Sequence, residues 1–174
     1  MIIVTERPED SQEIEGLLDH AFGADRGTKT VYRLREGVAP IAELGKIIRE
    51  DGLLKGSLRF WPVVLGPARA PALLLGPVAV APEDRGKGYA KALIWNGLRQ
   101  ARELGYSIVL LVGDEAYYGQ FGFTRRIAEG LTLPGPVDLD RFLALELAPG
   151  ALRGIAGDVQ RAERNEARPF SQPA

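Results

Sequence analysis

The stretch Leu73–Leu104 reads LLLGPVAVAPEDRGKGYAKALIWNGLRQAREL, and its three parts decide the fold. The first, Leu73 to Val80, is too apolar to be half exposed and stops before Pro82, so it reads as a buried strand. Gly76-Pro77 interrupts it. Proline cannot donate to a ladder, so a proline in mid-strand predicts a bulge or an edge where pairing is released. Pro82 to Gly88 then forms a charged turn, and from about Gly88 the apolar spacing becomes helical through Ala90, Ile94, Leu98 and Ala101, with Gly105 as the stop. A strand feeding a glycine-bearing turn that opens a helix suits an anion. The first helical N–H groups have no partner, the helix dipole is positive there, and glycine lets the backbone come close.

The flanking sequence extends this unit into one α/β domain. Upstream, Lys46–Arg49 and Leu53–Trp61 flank Glu50-Asp51-Gly52, an Asp-Gly hairpin signal, and the loop Gly66–Pro71 leads into the buried strand. Downstream, Ser107–Val112 is a second fully apolar strand. A helical crossover joins it to the first, so the two should lie parallel. Arg141–Leu147 is the last convincing strand. At the other end, Met1–Val4 reads as an edge strand, Pro8-Glu9-Asp10 as a helix start running to about His20, and Thr28–Arg35 as a shorter helix stopped by Gly37. The expected architecture is a single domain over residues 1–159. Residues 160–174, of mixed charge without apolar spacing, are expected to form a flexible tail.

Composition removes whole classes of chemistry. With 174 residues the chain can bury a core without staples, and it has no cysteine, which excludes thiol nucleophiles, disulfides and Cys-based zinc sites. Its single histidine, His20, excludes a two-histidine metal site. The net charge of −1 lacks the footprint of a nucleic-acid binder, and no apolar run reaches membrane-spanning length. The start MIIVTERPED leads into a strand rather than a signal peptide. The expectation is a cytoplasmic protein, monomer or homodimer, with no metal, nucleic-acid or membrane partner.

Spacing chooses among the glycine-rich phosphate motifs. A Walker A loop needs glycine five residues before Gly-Lys and Ser or Thr after it, where this chain has Ala81 and Gly88. A dinucleotide fingerprint from Gly86 needs Gly or Ala at Lys91. Arg85-x-x-Gly88-x-Ala90 instead resembles the pyrophosphate loop of the GCN5-related N-acetyltransferases (GNAT). Tyr118-Gly119-Gln120-Phe121-Gly122-Phe123 is similar to that family's Tyr-x-x-x-Gly-Phe element, about thirty residues further on. The order of elements matches over Met1 to Leu147. Residue matches are confined to Leu75–Ala90 and Leu111–Phe123.

The resemblance implies the GNAT fold, a mixed, mostly antiparallel sheet whose central parallel strand pair splays at a bulge, flanked by helices. It also implies a reaction: acetyl passes from acetyl-CoA to the primary amine of a small molecule or peptide, by direct attack in a ternary complex. By that resemblance Arg85, Gly86, Lys87, Gly88, Tyr89, Ala90 and Lys91 hold the pyrophosphate, and the strand backbone of Val78, Ala79 and Val80 bonds the pantetheine arm. Tyr118 becomes the general acid for the leaving thiolate, with Tyr117 beside it in a packing role. Asp114 stands where many members carry Asn, so a pantetheine contact there lacks a side-chain amide. Glu43 and Glu50 are the candidate bases by location, beside a water chain to bulk. The alternative from another class is a non-catalytic acyl-CoA-binding or sensor domain, which would bind acetyl-CoA and never release CoA to an amine.

Overall fold

A computed structural model of the chain describes residues 1–166. In chain order its strands are β1 (Ile2–Thr5), β2 (Lys46–Glu50), β3 (Leu53–Leu65), β4 (Ala70–Val80), β5 (Ile108–Val112), β6 (Leu131–Thr132), β7 (Phe142–Glu146) and β8 (Gly157–Arg161). The α-helices are α1 (Ser11–Phe22), α2 (Thr30–Arg33), α3 (Tyr89–Glu103) and α4 (Glu115–Tyr118). The main path of the sheet runs β1-β2-β3-β4-β5-β7, antiparallel except for β4 against β5. That is the expected fold class, with the parallel pair at the centre and a helical crossover joining its two strands.

Both faces of the sheet are covered at its centre, which is why β4 and β5 are apolar on both sides. Along β4 the side chains alternate between two cores. Leu73 and Leu75 join Phe60, Leu93, Ile94 and Leu98 under α3, whereas Ala72 and Leu74 face Val63, Leu110 and Phe142 on the other side. Helix α3 buries Tyr89, Leu93, Ile94, Gly97, Leu98 and Ala101. The expected stripe is therefore shifted slightly, leaving Ala90 only half buried. Gly97 lies over Phe60, whose ring occupies the space a Cβ would need, so a bare backbone lets α3 approach the sheet.

Three elements differ from the sequence expectations. The helix expected over Thr28–Arg35 is a 3-10 turn at Arg26–Thr28 followed by the four-residue α2. Extended backbone at Lys29 (ψ 146°) separates them, and the Thr30 hydroxyl donates to the carbonyl of Pro136, tying this segment to the 134–136 loop. The hairpin strands run longer than expected, β3 to Leu65 and β4 from Ala70. Strand β8 crosses the boundary drawn at 159/160. Gln160 and Arg161 pair with Val64 and Val63 of β3, and Arg69 is ion-paired with Glu166. Order thus extends at least to Glu166, because partners 90 residues and more away in sequence supply the contacts. The rest of the tail expectation, 167–174, lies outside the described residues.

Candidate active site

The site is built where β4 leaves β5. The two strands pair only at Leu73↔Val109 and Leu74↔Leu110. Immediately beyond, Gly76 and Pro77 stand opposite the single residue Arg59 of β3, since Leu58 pairs with Val78 and Phe60 with Leu75. Two residues against one is a bulge, as the Gly-Pro step predicts, and Gly76 takes a φ of 128° that disfavours a side chain. The carbonyl of Gly76 is fixed by the indole N–H of Trp61 at 2.7 Å. After the bulge β4 keeps its ladder to β3 through Val78, Ala79 and Val80, but its other edge no longer faces β5. Ala79 turns its side chain into the core beneath α1, while Val78 and Val80 border a cavity of about 420 Å³.

The charged turn closes the other side of that cavity. Gly86 and Gly88 both have φ 82°, a left-handed conformation natural to glycine, and open space lies where a Cβ would project from either. The first α-helical bond of α3 runs from the Ala92 N–H to the Gly88 carbonyl at 3.0 Å, so the N–H groups before it have no partner within the helix. Arg85, Gly86, Gly88, Tyr89, Ala90 and Lys91 all line the cavity. The side chains divide differently from a simple ring of cations. Lys87 turns back to the almost fully buried Asp84 at 2.5 Å, and Lys55 reaches the other oxygen of that carboxylate at 2.9 Å. These two ammonium groups hold the Asp84 carboxyl below the usual carboxylate range. Lys87 therefore fastens the turn, and the cationic residues that border the cavity are Lys91 and Arg85, whose guanidinium also donates to the Ala21 carbonyl at 3.4 Å. Tyr89 likewise points its ring inward, its hydroxyl donating to Glu50, so its contribution to the cavity is backbone.

A second cavity, of about 570 Å³, lies on the far side of Val78 and reaches from the bulge to α4. Val78 and Tyr117 border both spaces. Tyr118 borders only the second. It packs against Phe121 and Phe123 with ring centroids 6.2 and 6.1 Å away, and burial pushes its hydroxyl up to about 12. Gly113 leaves the room for that ring, since a Cβ there would collide with it. Gly113→Ala is accordingly expected to displace the Tyr118 ring and cost about 1–3 kcal/mol of stability, which a melting curve would check. Asp114 caps α4 with its carbonyl and pairs its carboxylate with Arg141 at 3.1 Å on the rim.

The structure thus brings together Val78, Val80, the 85–91 turn, Asp114 and Tyr118 around two adjoining spaces. It does not bring in the sequence's two candidate bases. Glu50 is engaged by Tyr89 and the chain's N-terminal ammonium, and neither Glu50 nor Glu43 borders either cavity. The carboxylates that border the second cavity are Asp114 and Asp138. Sequence reasoning gave Tyr117 only a packing role. Its ring does pack on Tyr118 and Phe121, at 5.0 and 5.8 Å, yet it is 40% exposed in the passage between the spaces. It also passed over Tyr32 and Arg35, which reach the second cavity from the α2 region. An isolated arginine after a short helix carries no signal by itself. Among the described residues no cluster of His, Asp or Glu could hold a metal ion, and no helix is long and apolar enough to cross a membrane.

Known proteins share this arrangement. A family model described as acetyltransferase (GNAT) domain matches residues 4–126, and the chain belongs to that family. It is 34% identical over 161 residues to the uncharacterized N-acetyltransferase YhbS of Escherichia coli strain K12, covering 92% of this chain and 95% of the relative. The crystal structure of Escherichia coli YhbS in complex with CoA superposes with a TM-score of 0.79 at 33% identity, covering 93% of this chain and 89% of that one. A GNAT family acetyltransferase from Brucella melitensis, solved in complex with acetyl-CoA, gives 0.70 at 30% identity, with 92% and 95% covered.

Proposed function

We propose that the protein transfers an acetyl group from acetyl-CoA to the primary amine of an acceptor by direct attack in a ternary complex. The observation that carries this reading is that the 85–91 turn and the released edge of β4 border one cavity while Tyr118 borders the adjoining one, with Val78 lining both. Acetyl-CoA presents three corresponding chemistries. The open glycine turn suits its pyrophosphate, with N–H donors and the positive end of α3 close by. The free edge of Val78–Val80 suits the two amides of the pantetheine arm, which can pair as a short strand does. A backbone N–H beside the bulge would then stabilise the oxyanion that forms as the amine adds to the thioester carbonyl.

Tyr118 would donate its proton to the departing thiolate. A hydroxyl shifted to about 12 is a weaker acid than free tyrosine. The thiolate leaves into the same poorly solvated space, which raises its basicity too, so the transfer stays near balance. A base for the incoming ammonium is available in Asp114 or Asp138, which border the acceptor side, or in water reaching bulk solvent. No cysteine exists to form an acyl-enzyme, which favours the direct route. The non-catalytic sensor alternative leaves the Tyr118 hydroxyl without a task.

The test is CoA release from acetyl-CoA across a panel of amines as a function of pH. Raising a phenol's pKa extends its protonated form to higher pH, so the acid stays competent where free tyrosine, at about 10, would have half ionised. The expected profile of kcat/KM climbs as the acceptor deprotonates and shows no falling limb below about pH 10. The same rate and pH profile in Tyr118→Phe would remove Tyr118 from the acid role, whereas a falling limb near pH 8 that Tyr118→Phe abolishes would keep the role and overturn the raised pKa. Binding of acetyl-CoA without CoA release from any amine would favour the sensor.

A further inference from the structure

The cavity beyond Val78 contains a charge the reaction above does not use. Arg35 is only 9% exposed, yet among the described residues no carboxylate pairs with it. Its guanidinium lies 4.6 Å from the Tyr32 ring centre and 5.6 Å from that of Trp61, and its Nε–H is buried without an acceptor. Elsewhere this fold supplies acids when it covers an arginine. Arg59, 8% exposed, has Glu6 and Glu15, and Arg49 has Asp10 and Glu13. A buried guanidinium lacking a carboxylate is costly, and stacking on aromatic rings offsets only part of that cost. Burial pulls its pKa to about 10 against the Tyr32 hydroxyl, which bonds it and raises it, while Arg26 and Arg59 add repulsion; it remains cationic at neutral pH.

We infer that this cavity receives an amine that also carries a carboxylate, and that Arg35 is the group that binds that carboxylate. The inference rests on the acetyl-transfer reading of the same groove. Arg35 borders the cavity together with the bulge, and its Nη2 lies so close to Gly76 that a Cβ there would be 3.2 Å away. The carboxylate site is thus adjacent to the place proposed for the thioester, which suits a small amino-acid-like acceptor. Pairing along the cavity wall singles Arg35 out further. Arg26 is held by Glu15 and Asp19 and Arg141 by Asp114, so among the described residues Lys29 and Arg35 are the cations on this wall without a carboxylate partner, and of the two Arg35 is the buried one.

Calorimetry on the full chain saturated with CoA tests this with N-acetylglycine and its neutral twin, N-acetylglycinamide. N-acetylglycine is expected to bind at least roughly tenfold more tightly, as one charge-assisted pair allows. Arg35→Met should abolish the difference while CoA affinity stays at the wild-type value, and Arg35→Lys should keep part of it. Equal binding of the twins by the wild type overturns the inference, as does an advantage that survives Arg35→Met. If Arg35→Met does not fold, the wild-type comparison and Arg35→Lys decide, a full wild-type advantage in Arg35→Lys counting against a forked contact. Failure of CoA to bind would sink the acetyl-transfer reading instead. The twins compared on CoA-free protein would still read the carboxylate site.

Discussion

Replacing Tyr118 by Phe is expected to lower kcat roughly a hundredfold while acetyl-CoA affinity changes less than about twofold, within the range that a positioned acid contributes. The ring makes the packing contacts, with Phe121, Phe123 and Tyr117, and Phe preserves them. Only the hydroxyl is lost, and it borders the acceptor-side cavity rather than the turn at the start of α3. The separation should therefore appear as an effect on kcat alone, measured by CoA release alongside calorimetric titration of acetyl-CoA. Unchanged turnover would assign Tyr118 a packing role, and equal losses in turnover and affinity would mean that the groove itself had moved.

Gly88→Val should have the opposite signature. Acetyl-CoA affinity is expected to fall roughly a hundredfold, with the fold retained. Gly88 precedes α3 with a φ of 82°, where a β-branched residue is strained, and its Cβ would project into open space beside the first helical N–H groups. Relief of that strain would re-aim those donors, and the side chain would occupy the place an anion needs. The surrounding contacts should hold the turn in position. Asp84, clamped by Lys55 and Lys87, anchors it from beneath. Circular dichroism and a melting curve report the fold, and calorimetry reports the affinity. Binding at the wild-type level would mean that the pyrophosphate sits elsewhere.

Much of this site was legible because its signals are local. Gly76-Pro77 imposes a bulge wherever it occurs in a strand, and Arg85 to Ala90 carries its spacing in six consecutive residues. The parallel pairing of β4 and β5 likewise follows from two apolar runs joined by a helix. What the sequence did not show lies between distant segments. Lys87 is bonded to Asp84, which also takes Lys55, and Glu50 accepts from the Tyr89 hydroxyl, partners that no local spacing announces. Strand β8 runs across 159/160, pairing with β3, and Glu166 takes its charge partner from Arg69. A mixed-charge segment shows no apolar period when its order comes from pairing rather than burial.

The sequence by itself determined the fold class, the family and the position of the glycine turn that opens α3, since strand period, helix period and glycine spacing are properties of neighbouring residues. Only the tertiary structure decided which charges are free to act. That depends on whether an opposite charge from a remote segment lies within a few ångströms. Arg59 and Arg35 look alike along the chain. The fold gives Arg59 two carboxylates, while Arg35 lies against aromatic rings with a buried N–H unfilled, next to the groove where the acceptor would lie.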